Sequence, residues 1–426
     1  MSAVEALLEA FARLRTPVPL DALRQEAAQR LRARGLPTRH DEDWKYTTLR
    51  LLDSLPLDAD TPSQPVSAAN LAALGAIASD APRLVFVDGR LDAALSSREA
   101  LPVGVRAWSA AHAADAELLA AVSDDAFDAV NRMFAASGLD LELPAGARLD
   151  APLVVISVQT RAGGSHLRHR LRLGAGAQVR LIVQHLALPD AGGYLASDFS
   201  RITLGDGARL ELIRLQAEGE PAAHVSQLHV TQRAGSSFDL QALVTGAALS
   251  RLECAVVHDG RDCSTALQAA AVLREAQHAD LHWRIAHAKP GGKSQTRVHT
   301  VVDDEAHAVF TGRVDVLPGA DKTDAAMINR NLLLSPRAEV DTRPQLQIDA
   351  DDVRCSHGAT VGQLDAEALF YLAARGIDAA LARQMLIRAF LAQALPALDS
   401  PDLVAVVRAQ LSRQGLALTD WDEAVR

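Results

Sequence analysis

Hydrophobic positions repeat with different periods in different parts of the chain. In residues 2–34, Val4, Leu7, Leu8, Phe11 and Leu14 recur at helical spacing, Pro17 and Pro19 interrupt them, and Leu20 to Leu31 resumes the pattern. This predicts two helices, each with one apolar face. A polar segment follows, HDEDWKYTTL (His40 to Leu49), and then a Pro/Ser/Asp-rich stretch from Leu55 to Val66 with the composition of a linker. LVFVDG next reads as a short strand, and Ala110 to Ala136 contains helical pieces.

The middle of the chain switches to a period of two. Runs such as RLRL, RLIV, RITL, LELI and LHVT alternate in a way that suits half-buried strands. Between them one phrase recurs: LPAGARL (Leu143 to Leu149), LGAGAQV (Leu173 to Val179) and LGDGARL (Leu204 to Leu210). The central glycines, Gly146, Gly176 and Gly207, are 30 and 31 residues apart, and a degenerate copy with Gly235 lies 28 further on. A fixed period of this size marks stacked repeats, each burying its apolar face on the next, with glycine turns at one corner. It predicts a parallel β-helix with one coil per 30 or so residues; the alternative is a β-sandwich with chance glycine turns.

After Leu364 the period returns to 3.6. Asp365 can cap AEALFYLAAR, which Gly376 ends; Asp378 can cap AALARQMLIRAFLAQAL, which ends near Pro396; Pro401 opens PDLVAVVRAQLSR. Leu386, Ile387, Phe390, Leu391, Ala394 and Leu395 form one apolar stripe, expected to pack helix on helix. The expected organisation is an N-terminal helical and mixed region (1–138), a β-helix core (139–363) and a C-terminal helical domain (364–426).

Composition narrows the function classes. With 426 residues, 49% hydrophobic, the chain can bury a large core. A net charge of -10 argues against nucleic acid as the main partner. The apolar runs, LVVISV at Leu153 to Val158 among the longest, fall far short of the ~18 residues needed to span a bilayer. MSAVEALLEAFARL lacks the basic-then-apolar order of a signal peptide, so a cytoplasmic protein is expected. Cys254, Cys263 and Cys355 contain no CxxC pair, which argues against a disulfide framework or a self-contained zinc site.

Candidate chemistry concentrates in DADDVRCSHGATVG, Asp349 to Gly362. PGGKS (Pro290 to Ser294) resembles the end of a P-loop, but His287 stands where the motif needs glycine and the following residues read as strand. Asp349, Asp351 and Asp352 could bind a hard cation or serve as base in a β-helix lyase, but acid clusters are more often a solvated turn, and such lyases are usually exported. His278, His282 and His287 lack regular ligand spacing. Cys355 and His357 lie one residue apart, so in a strand both side chains point to one face. Thiolate and imidazole suit an iron–sulfur centre or zinc; the same pair could be a nucleophile with its base, or a buried thiol beside a hydrogen-bonded histidine.

Phe310 to Ile377, including FTGRVDVLPGADKTDAAMINRNLLLSPRAEVDTRPQLQIDADDVRCSHGATVG, resembles the C-terminal signature of the SufB/SufD family, components of the Suf iron–sulfur cluster assembly machinery. EDWKYTTL (Glu42 to Leu49) resembles the amino-terminal region of the D-type branch. The resemblance implies a right-handed parallel β-helix between helical ends. It also implies a non-catalytic subunit that pairs with the paralogue SufB and holds the ATPase SufC through its C-terminal helices. Iron or a transient cluster would be shared with the partner, ATP would bind the partner only, and reduced flavin is associated with the whole complex. Gly358 stands where B-type chains carry glutamate, and a B-type cysteine set is absent, which favours the accessory partner. Within CSHGATVG the resemblance singles out His357, with Cys355 its neighbour, as iron or cluster ligands at a subunit interface. A homodimer is an option when the partner is missing. The competing class is a β-helix lyase or hydrolase acting through Asp351, Cys355 or His357.

Overall fold

The computed structural model of the chain describes residues 1–14, 18–78, 80–97, 101–110, 113–120, 122–395 and 400–416. The alternating runs of the middle region form two long sheets. One contains β1 (Arg83–Val87) with β2 (Arg90–Asp92) at its edge, then β5 (Leu153–Gln159), β7 (Gln178–Ala187), β9 (Arg209–Ala217), β11 (Ser237–Val244), β13 (Ser264–Leu273), β15 (Lys293–Val302), β17 (Asp324–Leu333) and β19 (Arg354–Gly362). The other contains β3 (Val105–Ser109), β4 (Ser137–Leu143), β6 (Gly163–Leu173), β8 (Tyr194–Leu204), β10 (Ala222–Gln232), β12 (Leu249–His258), β14 (His278–His287), β16 (His307–Val316) and β18 (Glu339–Ile348). From β4 onward the chain crosses between the sheets at every turn, and each strand pairs in parallel with the strand one coil later. The result is a parallel β-solenoid of about eight turns. Among the described residues antiparallel pairs occur only at its start, β1 with β2 and β3 with β4.

The repeated glycines form the predicted column. Gly146 N–H donates to Ala175, Gly176 to Asp206, Gly207 to Ala234 and Gly235 to Arg261, at 2.7–2.8 Å, and the four φ angles lie between 64° and 72°. The column continues beyond the recognisable phrases. Asp262 (φ 56°), Gly291 (φ 77°), Lys322 (φ 59°) and Asp352 (φ 51°) take the same left-handed position in later coils. Asp262 donates to Pro290, Gly291 to Asp321 and Lys322 to Asp352. Aspartate tolerates this region better than most residues, so the glycine signal fades while the turn persists. PGGKS is therefore one solenoid corner leading into β15, with no helix behind it.

Three apolar layers hold the molecule together. The inner one fills the space between the sheets with residues such as Leu141, Leu181, Leu212, Leu240 and Phe310. The N-terminal helices α1 (Ala3–Arg13) and α2 (Val18–Arg34) and, later in the chain, α4 (Ala126–Phe134) pack through Leu7, Leu31, Phe127 and Met133 on the outer face of the second sheet, at Leu195, Val225 and Leu249. The first sheet is covered by α3 (Ala68–Ala73), α6 (Ala379–Ala392) and α7 (Pro401–Arg413), while α5 (Ala366–Ala373) stands apart from that layer. Asp365 and Asp378 cap α5 and α6 as expected, and Pro401 opens α7, whose cap is Ser400. Pro17 and Pro396 lie outside the described residues.

Two expectations change. The stripe on α6 packs on sheet: Ile387 and Leu391 join Ala270, Val272 and Val301, and the His299 imidazole bonds the Phe390 carbonyl at 2.7 Å. The solenoid's outer face is itself apolar, so it competes successfully for that stripe. The stretch from Leu55 is irregular but docked. Leu55 and Leu57 are buried, and Asp58 accepts from Arg13 at 2.6 Å and, through its carbonyl, from Gly164 N–H at 2.9 Å.

EDWKYTTL lies as a strap over the outer face of the second sheet. Trp44 stacks on Phe127 (5.4 Å) and under the Arg251 guanidinium (3.8 Å). Thr47 Oγ1 donates to Asp280 at 2.5 Å, and Arg343 of β18 donates to Glu42 at 2.8 Å. The strap thus ties β12, β14 and β18 to the amino-terminal region.

Candidate functional site

The last coil, β18 and β19, is unlike the others. No strand pairs with the outer edge of either among the described residues. Register decides which side chains face inward. Ala325 and Met327 are buried in the core and lie beside Cys355 and His357, so these two face the interior, as do Ala359 and Val361. On β18 the interior set is Val340, Thr342, Pro344, Leu346 and Ile348. In any earlier coil such residues would be covered by the next. Here Ile348 is 43% exposed and Val361 48%. The solenoid therefore ends in an open mouth with one uncovered layer of core.

Cys355 is half-buried against that core, and burial pushes its thiol up. His357 is exposed, with no hydrogen bond or ion pair to its side chain among the described residues. The two Cα atoms are roughly 7 Å apart, two residues along a strand. A single metal ion or cluster at the mouth can be reached by both. As a catalytic pair the geometry is poor: a nucleophilic cysteine needs a lowered pKa and a base oriented by a third group, and here the thiol moves the other way. Asp351 is exposed in the corner turn, and Asp349 accepts from Gln347 at 3.0 Å.

The other cysteines cannot complete a site with Cys355. Cys254 lies inside the solenoid on β12, its thiol pushed up to about 12 by burial. Cys263 is buried at a corner, where its Sγ–H donates to the carbonyls of Arg233 (3.1 Å) and Gly260 (3.2 Å). Each lies three strand spacings from the last coil, roughly 14 Å. His278 bonds Thr47, and His287 is buried with Nε2 against Ser294 at 2.9 Å. His282 is within 3.7 Å of Asp43. All three serve the strap or the interior.

Sequence reasoning missed a polar cluster deep in the solenoid. His185, Asp198 and His224 present ligand atoms close enough together to suggest a metal. Arg214 already supplies the cation: its Nη2 donates to Asp198 at 2.6 Å and lies 3.0 Å from His185 Nε2. Burial alone would lower His224, but the Glu218 carboxylate bonded to it and the nearby Asp198 hold it up at about 9. Two cations thus balance two carboxylates. The available signal was His185 and Arg214 at inward positions of otherwise apolar alternation.

A further exposed feature lies on the C-terminal helices. No residue of α5 is buried, Phe370 is 76% exposed and Tyr371 55%, and Leu381 and Met385 are exposed on α6. Large apolar side chains grouped on a surface mark a protein-binding face. No helix among the described residues is long and apolar enough to cross a membrane.

Comparison with known proteins agrees with the resemblance seen in the motifs. Residues 155–390 match the family model described as "SUF system FeS cluster assembly, SufBD core domain", and residues 9–155 match "SufBD protein N-terminal region". The chain is 32% identical to the iron-sulfur cluster assembly protein SufD of Escherichia coli, over 92% of each chain. It is 32% identical to an iron-sulfur cluster assembly SufBD family protein of Synechocystis, covering 87% of this chain and 86% of the relative. It is also 30% identical to the chloroplastic protein ABCI7 of Arabidopsis thaliana, covering 88% and 81%.

Proposed function

The chain belongs to the SufBD family of iron–sulfur cluster assembly proteins, and from that membership we propose that it is a non-catalytic, cytoplasmic subunit of a Suf complex. Its mouth pairs with the paralogue SufB. The observation that carries this reading is the unfinished last coil, where two unpaired sheet edges surround inward-facing residues that are open to solvent. Exposed edges and uncovered core are both unfavourable in water, and one partner strand on each sheet relieves both. A second copy of this chain can substitute when SufB is absent.

Cys355 and His357 stand in that mouth and become interfacial on pairing. A closed iron–sulfur site commonly takes four protein ligands, and this chain offers two, so the partner supplies the rest. Iron or a transient cluster is cargo, and reduced flavin is associated with the complex as a whole. The exposed face of Phe370, Tyr371, Leu381 and Met385 receives SufC, which carries the ATP. The rival reading, a β-helix lyase or hydrolase, has less support, because Cys355 is moved away from thiolate and Asp351 lies on an exposed turn.

The test is co-expression with SufB and SufC, followed by pull-down and assay of iron and acid-labile sulfide per purified complex. His357→Ala is expected to leave the complex assembled and to lower its iron or cluster content, with Cys355→Ser milder. Iron and sulfide equal to the parent in His357→Ala would remove the histidine from the site. Failure of the parent chain to retain SufB or SufC would overturn the subunit assignment.

A further inference from the structure

Where α2 and α4 meet the start of the solenoid, a cleft of about 340 Å³ opens that the assembly function does not use. Its lining includes Arg24, Asp88, Gly89, Arg90, Gly164 and His166. Arg24 is 3% exposed and His166 likewise 3%. Arg24 donates from Nη2 to the Ala135 carbonyl at 2.7 Å, and its Nε is buried with no partner among the described residues. The carboxylates in the cleft are already engaged. Asp60 pairs with Arg90 at 2.8 Å, and Asp88 accepts from Thr160 N–H and Oγ1, with Arg161 Nε 3.7 Å away. Arg24, by contrast, makes no ion pair among the described residues, and the exposed Asp21 on the same helix only partly offsets its burial.

The tautomer of His166 follows from its neighbours. Ser197 Oγ accepts from Asn131 Nδ2 at 3.0 Å, and among the described residues His166 Nδ1, at 2.8 Å, is the acceptor within reach of its own proton. Nε2 then carries the ring N–H, and it is buried and unpartnered among the described residues. Stacking on Phe134 at 4.9 Å fixes the ring. Burial holds this imidazole down at about 3, so it stays neutral and a donor at physiological pH. Nε2 packs directly against Gly164, where a Cβ would come within 2.7 Å of it and 3.1 Å of the Leu57 carbonyl oxygen.

A buried guanidinium with no ion pair and an unpartnered Nε among the described residues, and a buried N–H without an acceptor, are each costly, and both line one cleft. We propose that this cleft binds a small oxyanion, a carboxylate or phosphate group, which accepts from Arg24 and His166 Nε2. Arg24 provides the charge and His166 a directional donor, and Gly164 lets the imidazole sit where it does, since a Cβ would displace the ring. The volume fits a small organic acid or phosphate ester.

The test uses the full chain and its melting temperature at constant ionic strength, titrated separately with inorganic phosphate and with succinate. At a hundredfold excess over Kd, binding to the folded state alone raises Tm by about 3 °C for a chain of this size. The expected result is a saturable rise with at least one anion that is lost in Arg24→Met and in Gly164→Ala. Arg148→Met, which removes an exposed charge of the same sign, should keep it. Should Arg24→Met fail to fold, Gly164→Ala decides. No saturable rise with either anion, or the same rise in all the variants, overturns the proposal.

Discussion

The buried cluster around Asp198 allows a stability prediction with a magnitude. Arg214 Nη2 donates to Asp198 at 2.6 Å, Ser226 Oγ donates to it at 2.8 Å, and the His185 and His224 Nε2 atoms lie 3.1 and 3.4 Å away. Asp198 is 3% exposed and Arg214 5%, so solvent screens neither. Arg214→Met keeps much of the volume and removes the cation. Breaking a buried pair from one side costs about 3–5 kcal/mol, because the remaining charge stays desolvated. With an unfolding entropy of roughly 0.9 kcal/mol/K for a chain of this length, the loss is about 3–6 °C in Tm.

The pH dependence gives a second readout of the same variant. Burial alone would raise the Asp198 carboxyl, but Arg214 and the two histidines hold it well below the ordinary carboxylate value. Its contribution is present above the unfolded value of about 3.9 and is lost as pH falls through the lower folded value. The deficit of Arg214→Met should therefore be largest near neutral pH and shrink in acid, where a protonated Asp198 needs no counter-charge. Calorimetric melts of the parent, Arg214→Met, Asp198→Asn and the double variant test this. The double variant should recover more than ~1 kcal/mol relative to the sum of the single losses. If Arg214→Met melts within a degree of the parent, or the two losses simply add, the cluster is not the charge-balanced unit described here.

Three further outcomes follow from other contacts. His224, held up at about 9, contributes stability that is complete below pH 6.5 and declines as pH rises through 9; Glu218→Gln should flatten that decline in urea titrations at stepped pH. Trp44→Ala, which empties a site 4% exposed between Phe127 and Arg251, should cost about 3–5 kcal/mol and speed proteolysis of the amino-terminal helices. Phe370→Ser, at a position 76% exposed, should leave Tm within about 1 °C and cut capture of SufC at least tenfold; unchanged capture would place the ATPase elsewhere.

The fold was legible where spacing and chemistry repeat together. Gly146, Gly176 and Gly207 announced the corner column, because a left-handed turn at each coil selects glycine strongly. The signal weakened at Asp262, Lys322 and Asp352, since the same φ is tolerable for aspartate and only mildly unfavourable for lysine. Helix caps at Asp365 and Asp378 were equally readable, as each is a local hydrogen bond, and so was Pro401 in the first turn of α7. Long-range packing was not. Nothing local in the α6 stripe distinguishes a neighbouring helix from the solenoid's outer face. Trp44 and Thr47 gave no periodic signal, because their partners, Arg251 and Asp280, lie more than two hundred residues away. The shared direction of Cys355 and His357 was readable from the strand period; that they face an open mouth follows from the register with Ala325 and Met327.

The two ends of the solenoid differ in a way that bears on function. At the start, β2 and β3 run antiparallel to their neighbours, so the parallel edge of the first coil is already paired. At the finish, β18 and β19 present parallel edges and an uncovered interior layer. A chain that only had to be stable could close both ends alike, since a short antiparallel strand or a capping helix is enough to blunt an edge. Pro344, which removes one N–H from β18, is the kind of residue tolerated on an edge strand. The helices that could have capped this end lead elsewhere: α6 and α7 turn back along the outer face of the first sheet, and α5 is left without buried contacts. The coil that carries the Cys-x-His pair is thereby kept open, and the cost of exposing Ile348 and Val361 falls where a second chain can cover both.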